Sequence, residues 1–236
     1  MGLRIFVLTG AGVSAESGVA TFRGPGGLWD QHDLMQLATP EGFARDPARV
    51  HAFYNGRRLG LAGVEPNRAH RALARLEAGL AARGGELFLC TQNVDDLHER
   101  AGSRAVLHMH GRITRVRCQR CDHVREERGQ IGVQTACVAC GQPGGLRPDV
   151  VWFGEVPRGL DAIDRALADC DLFCAIGTSG EVYPAADFVR RAAMAGARTV
   201  ELNLAPTWGG FDEHRSGPAG VTTPAWVDEI LAEAPA

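Results

Sequence analysis

IFVLTGAGVSAESG, residues 5–18, decides the fold. Its first four residues form an unbroken apolar run, the pattern of a strand buried on both faces of a parallel sheet. Thr9, Gly10 and Gly12 end that run at once. A strand that breaks into a glycine-rich turn lets backbone approach a pyrophosphate, and a following helix N-terminus adds amide donors. The spacing is not Gly-x-Gly-x-x-Gly, because Ala15 stands where a dehydrogenase fingerprint closes with glycine. Taken alone, the segment is equally well a plain tight turn. Phe22 and Arg23 follow it with an aromatic face and a guanidinium, suited to a flat, charged ligand.

Further along, LFLC (87–90), LFCAI (172–176) and TVEL (199–202) repeat the short apolar run. Amphipathic stretches lie between them. Residues 66–83 place Ala69, Leu73, Leu76 and Leu80 on one helical face and stop at Gly84. Residues 184–195 open with Pro184 and stop at Gly196. Strands alternating with helices predict an α/β fold with a Rossmann-type doubly wound parallel sheet. Two segments break the alternation: 31–84 carries only helical patterns, and 113–148 is rich in turn formers and cysteine. The expected organisation is a sheet domain of residues 1–30, 85–112 and 149–236. A small domain is then assembled from a helical module (31–84) and a metal-dependent module (113–148).

Composition removes several function classes. All 25 basic residues are arginine, so Schiff-base chemistry, a pyridoxal linkage and a phosphate-loop lysine are excluded. The net charge of −3 gives no general attraction to nucleic acid or an anionic membrane. No run approaches the roughly 18 apolar residues of a membrane span. Residues 3–8 run into a glycine turn without a cleavage-like region, so they read as a strand rather than a signal peptide. Seven cysteines, an odd number, argue against a disulfide framework and for the cytoplasm.

Four of those cysteines form two pairs, Cys118-x-x-Cys121 and Cys137-x-x-Cys140. Four thiolates at this spacing supply a closed tetrahedral zinc site, which leaves no open coordination position and is therefore structural. The six arginines between 112 and 128 face three acidic residues without interleaved aromatics, a solvated surface rather than a nucleic-acid site. Gln92, Asn93, Val94 and Asp95 stand at a strand end, where open α/β sheets bind ligands. His108 and His110 follow. A histidine there is either a satisfied structural residue or, in a cleft holding ribose, a general base.

GAGVSAESG (10–18), TFRG (21–24), TQNVD (91–95), His110-Gly111, the cysteine quartet, VWFGE (151–155), GTS (177–179) and Asn203-Leu204 occur in the order seen in sirtuins. The chain resembles that family over about residues 5–228, and within it the bacterial class III branch of NAD-dependent protein lysine deacylases. The resemblance implies NAD as a consumed co-substrate, one structural zinc, acyl-lysine proteins or peptides as partners, and an oligomeric state left open. It implies catalytic roles for His110, as base, and Asn93. Cofactor contacts would come from Gly10, Ala11, Gly12, Ala15, Phe22 and Arg23. Gln92, Asn93, Val94 and Asp95 would add a second set, and Gly177, Thr178, Ser179, Asn203, Leu204, Ala205 and Ala219 the adenosine side. Substrate would meet Val151, Phe153, Gly154 and Glu155, with Gly180 to Tyr183 at the opposite edge. Ala20 stands where many members have proline.

Tyr54 and Arg57 sit three apart, so on a helix they share a face and can converge on one ligand. By themselves they are also explained as a core tyrosine beside a surface arginine. Class III sirtuins carry this Tyr-x-x-Arg pair, which implies succinyl-, malonyl- or glutaryl-lysine as substrate with acetyl-lysine retained. The rival readings are a plain deacetylase, a mono-ADP-ribosyltransferase and, from another class, a non-catalytic NAD-sensing zinc-ribbon protein.

Overall fold

The computed structural model describes residues 2–21, 27 and 33–233. In chain order the strands are β1 (Arg4–Thr9), β2 (Glu86–Thr91), β3 (Val106–His108), β4 (Gly111–Cys118), β5 (Val124–Glu126), β6 (Leu146–Val150), β7 (Leu172–Ile176), β8 (Arg198–Asn203) and β9 (Glu213–Ser216). The helices are α1 (Gly12–Ala15), α2 (Leu34–Leu37), α3 (Pro40–Arg45), α4 (Pro47–Gly60), α5 (Arg68–Ala81), α6 (Leu97–Arg100), α7 (Leu160–Asp169), α8 (Phe188–Met194) and α9 (Ala219–Glu233).

A six-stranded sheet runs β3-β2-β1-β7-β8-β9, and all of its pairings are parallel. The winding reverses between β1 and β7, the doubly wound order expected of the sequence. Alternation along β1 explains why its whole run is apolar. Ile5 and Val7 join the core under α5 and α9, built on Leu73, Leu76, Leu80, Trp226 and Val227. Phe6 and Leu8 join the opposite core under α7 and α8, with Ile163, Leu167, Phe173 and Phe188.

The remaining strands form a three-stranded antiparallel sheet, β5-β4-β6. α4 begins with Pro47 after Asp46, whose carboxylate accepts from the Arg49 amide. This helix packs Val50 and Tyr54 against Ile113, Val150 and Trp152. Arg58 donates to the carbonyls of Ile113 and Gly129, and Asn55 to that of Ile131. The helical stretch and the cysteine-bearing stretch are thus bonded to one another. Both β4 and β6 straddle the module boundaries read from the sequence, because each carries residues assigned to the sheet domain and to the cysteine module in one strand. No helix among the described residues is long and apolar enough to cross a membrane.

Candidate active site

A cavity of about 380 Å³ opens at the carboxyl ends of β1 and β7, the point where the strand order reverses. That volume lies within the roughly 300–1,000 Å³ of small-molecule sites. Gly10, Ala11 and Gly12 form one wall. The Gly12 amide donates to the Gly177 carbonyl at 2.8 Å, and a Cβ on Gly12 would sit 2.7 Å from the Gly177 Cα. Gly177 has φ +60, so glycine is needed on both sides of this contact. α1 is a single turn rather than a full helix, so the turn's amides and the open backbone, not a long dipole, make the wall. Gln92 donates to the Thr178 hydroxyl (2.9 Å), and Asn203 to the Thr178 carbonyl (2.8 Å), fixing the turn after β7.

His110 lines the same cavity. Its Nδ1 lies 3.0 Å from the Gln92 carbonyl, which only accepts. Nδ1 therefore carries the hydrogen and Nε2 is the nitrogen left to act as a base. Burial lowers its pKa from the usual histidine value, with the Gln92 hydrogen bond opposing, so the ring is neutral at neutral pH. His108, the other histidine of the pair, has both ring nitrogens engaged, by the Asn93 carbonyl (3.1 Å) and Glu99 (2.8 Å). It is a structural residue.

Asn93 donates from Nδ2 to the Gly10 carbonyl and to Ser14, both at 3.1 Å. Ser14 in turn donates to Asp95 at 3.1 Å. The amide of Asn67 donates to His70 Nδ1, which leaves Nε2 of that ring to donate to Ser14 at 3.3 Å. His98 contacts Thr9 at 3.0 Å and lies edge-on to His70. Desolvation holds His70 down to about 4 and His98 well below its usual value, so this buried nest is neutral. Desolvation raises the Asp95 carboxyl, partly offset by bonds from Leu97 and Ser14.

Tyr54 and Arg57 both reach the cavity from α4. Arg57 also lines a second cavity of about 180 Å³, bounded by Ser14, Asn93, Val94 and Asp95. Trp152 donates from Nε1 to the Tyr54 hydroxyl at 2.9 Å. Burial pushes the phenol pKa up, with Arg57 and the indole bond opposing, so the hydroxyl keeps its proton. Phe153 and Tyr183 line the cavity as exposed side chains.

Cys118, Cys121, Cys137 and Cys140 bring their sulfurs within 4.8 Å of one another. Zinc with arms of about 2.3 Å in a tetrahedron separates its sulfurs by roughly 3.8 Å. The Cys118–Cys140 and Cys121–Cys137 separations are 3.9 and 3.7 Å, far longer than a disulfide. The four thiols fit a structural zinc ion.

Most residues singled out in the sequence meet at the cavity wall: Gly10, Ala11, Gly12, Gln92, Asn93, Val94, His110, Tyr54, Arg57, Val151, Phe153, Gly154, Glu155, Gly177, Thr178, Ser179 and Asn203. Asp95 lines the second cavity instead. Ala15, Leu204, Ala205 and Ala219 are not among the lining residues, and Ala219 is packed in the sheet core. Phe22 and Arg23 lie outside the described residues. The carboxylate of Glu155 is taken up by Arg147 and by the Trp152 amide. Sequence reasoning missed Trp152, Arg147 and the Ser14–His70–His98 nest. Trp152 and Ser14 stood inside the quoted motifs VWFGE and GAGVSAESG without a role, and nothing marked Arg147, His70 or His98.

A family model described as the Sir2 family matches residues 10–184. A protein of Caulobacter vibrioides named NAD-dependent protein deacylase is 57% identical over 232 residues, covering 98% of either chain. A Sir2 homologue solved as an ADP-ribose complex aligns with a TM-score of 0.90 at 38% identity, over 100% of this chain and 96% of that one. A Sir2 homologue solved with NAD gives 0.87 at 39%, over 98% and 90%. Fold, cavity and cysteine quartet are thereby explained together by one ancestry: the chain belongs to the Sir2 family.

Proposed function

We propose that this chain is an NAD-dependent protein lysine deacylase that accepts succinyl- and malonyl-lysine and also acetyl-lysine. The observation that carries the acidic preference is Arg57 beside Tyr54, on the wall of the cavity that holds His110 and Asn93. Arg57 lines a cavity whose wall also carries Val150, Val151, Trp152 and Phe153, and a guanidinium meets a carboxylate with two parallel hydrogen bonds. A long, bending arginine leaves room for a neutral acetyl group as well.

In this reading Gly10, Ala11, Gly12, Gln92, Gly177, Thr178, Ser179 and Asn203 hold NAD, and Asn93 and Asp95 orient its ribose and carboxamide. Leu204, Ala205 and Ala219, with Ala15, support the adenosine and loop edges. The acyl carbonyl oxygen attacks C1′ of the nicotinamide ribose, and the C1′–N bond breaks with its electron pair leaving on nicotinamide. His110 Nε2 then takes a proton from a ribose hydroxyl, whose oxygen closes on the amidate carbon. Release of the lysine amine and addition of water give free lysine and 2′-O-acyl-ADP-ribose. The peptide backbone runs between Phe153–Glu155 and the Gly180–Tyr183 edge as an added strand, an arrangement with loose sequence preference. The small domain is drawn from α2, α3 and α4 together with β4 and β6, which share one core, while α5 packs with the parallel sheet and belongs to the sheet domain.

Arg57→Met tests the acidic preference. Loss of a charge-assisted contact of about 1.5–3 kcal/mol corresponds to a roughly 10- to 150-fold fall in kcat/KM for succinyl-lysine peptide, with acetyl-lysine turnover much less affected. Equal losses on both peptides contradict the carboxylate role.

A further inference from the structure

We propose that Trp152 is a positioning residue for acyl selectivity: its indole N–H occupies one side of the Tyr54 oxygen and turns the phenolic hydrogen toward the bound acyl carboxylate. The inference rests on the reading that Tyr54 and Arg57 receive that carboxylate. An indole N–H can only donate, so across the 2.9 Å bond the Tyr54 oxygen must accept. A phenolic O–H lies in the ring plane, conjugated with the ring, and has two orientations there. A donor on one side leaves the hydrogen the other. Both side chains line the cavity and are almost wholly buried, so water does not scramble that choice.

The indole is itself clamped. The Arg147 guanidinium lies over it, 3.4 Å from the ring centroid. Arg147 is buried, forks onto Glu155 at 2.6 and 3.0 Å, and donates to the Val150 carbonyl at 2.8 Å. The Trp152 amide donates to the same Glu155 carboxylate at 2.8 Å. Phe43 packs against the ring as well, at 5.3 Å between centroids. The chain Glu155–Arg147–Trp152 therefore ends on the Tyr54 oxygen. Burial keeps Tyr54 protonated, so it has a hydrogen to offer. A terminal methyl group has no acceptor for that hydrogen, whereas a terminal carboxylate has two oxygens. The indole N–H should thus matter for acidic acyl groups and not for acetyl.

The test is steady-state kinetics on matched succinyl- and acetyl-lysine peptides, read as the ratio of their kcat/KM values. Two variants delete the N–H: Trp152→Phe, and replacement of Trp152 by its benzothiophene isostere, which keeps the ring volume if phenylalanine unsettles the pocket. Expected is a fall in the succinyl-to-acetyl ratio of about fivefold to tenfold, the size of one neutral hydrogen bond, carried by KM. Tyr54→Phe lowers the ratio too, and adding the Trp152 change to it lowers the ratio no further. An unchanged ratio in the isostere, while Tyr54→Phe lowers it, overturns the positioning role. So does an equal further fall in the Tyr54→Phe background. A ratio untouched by both Tyr54→Phe and Arg57→Met removes the carboxylate pocket itself, and the positioning role with it.

Discussion

His110 enters the cavity as a neutral imidazole because a carbonyl takes its Nδ1 hydrogen and burial penalises the charged ring. A lowered pKa means that protonation begins only below the ordinary value of about 6.5. The base is therefore ready throughout neutral pH and is lost as pH falls through the depressed value. The expected kcat/KM profile has its acidic half-maximum below 6.5 and levels off above it. A half-maximum at or above 6.5 contradicts the burial argument. His110→Ala should lower kcat by roughly 10²- to 10⁴-fold, the usual contribution of a general base, measured as formation of acyl-ADP-ribose, the product of the step that follows nicotinamide loss. Residues of this kind were legible because they stand in short local motifs. The Trp152–Tyr54 bond was not, since it joins residues far apart in the chain whose meeting depends on how α4 packs under β6.

At the scale of elements, the cysteine module is held by very little apolar material. Its core is Val116, Cys118, Ile131, Cys137 and Leu146, two of them metal ligands. Metal binding then supplies much of the folding free energy of the module. Cys118→Ser should lower the melting temperature by roughly 5–15 °C and release zinc, measured by calorimetry with metal analysis. A metal-free variant with unchanged melting and full activity contradicts a structural ion. Short apolar runs predicted β1, β2, β7 and β8, and helical spacing of apolar residues predicted α5. Strands β3, β4, β5, β6 and β9 were missed, because their apolar residues are interrupted by polar and charged ones and form no apolar run of four. β9 is polar as well, an edge strand held by Arg198, Glu213 and Arg215 ion pairs. The turn after β1 predicted a helix, yet Gly18 at φ +90 follows it and α1 ends after one turn.

Across the whole molecule, the parallel order β3-β2-β1-β7-β8-β9 brings the two glycine turns after β1 and β7 side by side, and that alone opens a cleft at the reversal point. Helices α2, α3 and α4 of the first inserted stretch share one core with β4 and β6, and residues of both, such as Tyr54 and Val150, line the cleft. This is why residues as distant as Gly10, Tyr54, His110 and Trp152 line a single cavity. The alternation of strands and helices made the sheet legible. The packing of the two insertions on each other was legible only as an expectation, since it depends on contacts such as Asn55 with Ile131 that no local pattern encodes. The central claim, an NAD-consuming deacylase with an acidic acyl preference, is tested most directly by mass spectrometry of one reaction. The purified protein is incubated with NAD and matched succinyl-, malonyl-, acetyl- and unmodified-lysine peptides. The account predicts loss of succinyl and malonyl groups faster than acetyl, with nicotinamide and acyl-ADP-ribose formed in equal amounts. Release of ADP-ribosylated protein without acyl-ADP-ribose, or NAD binding without any turnover, would contradict it.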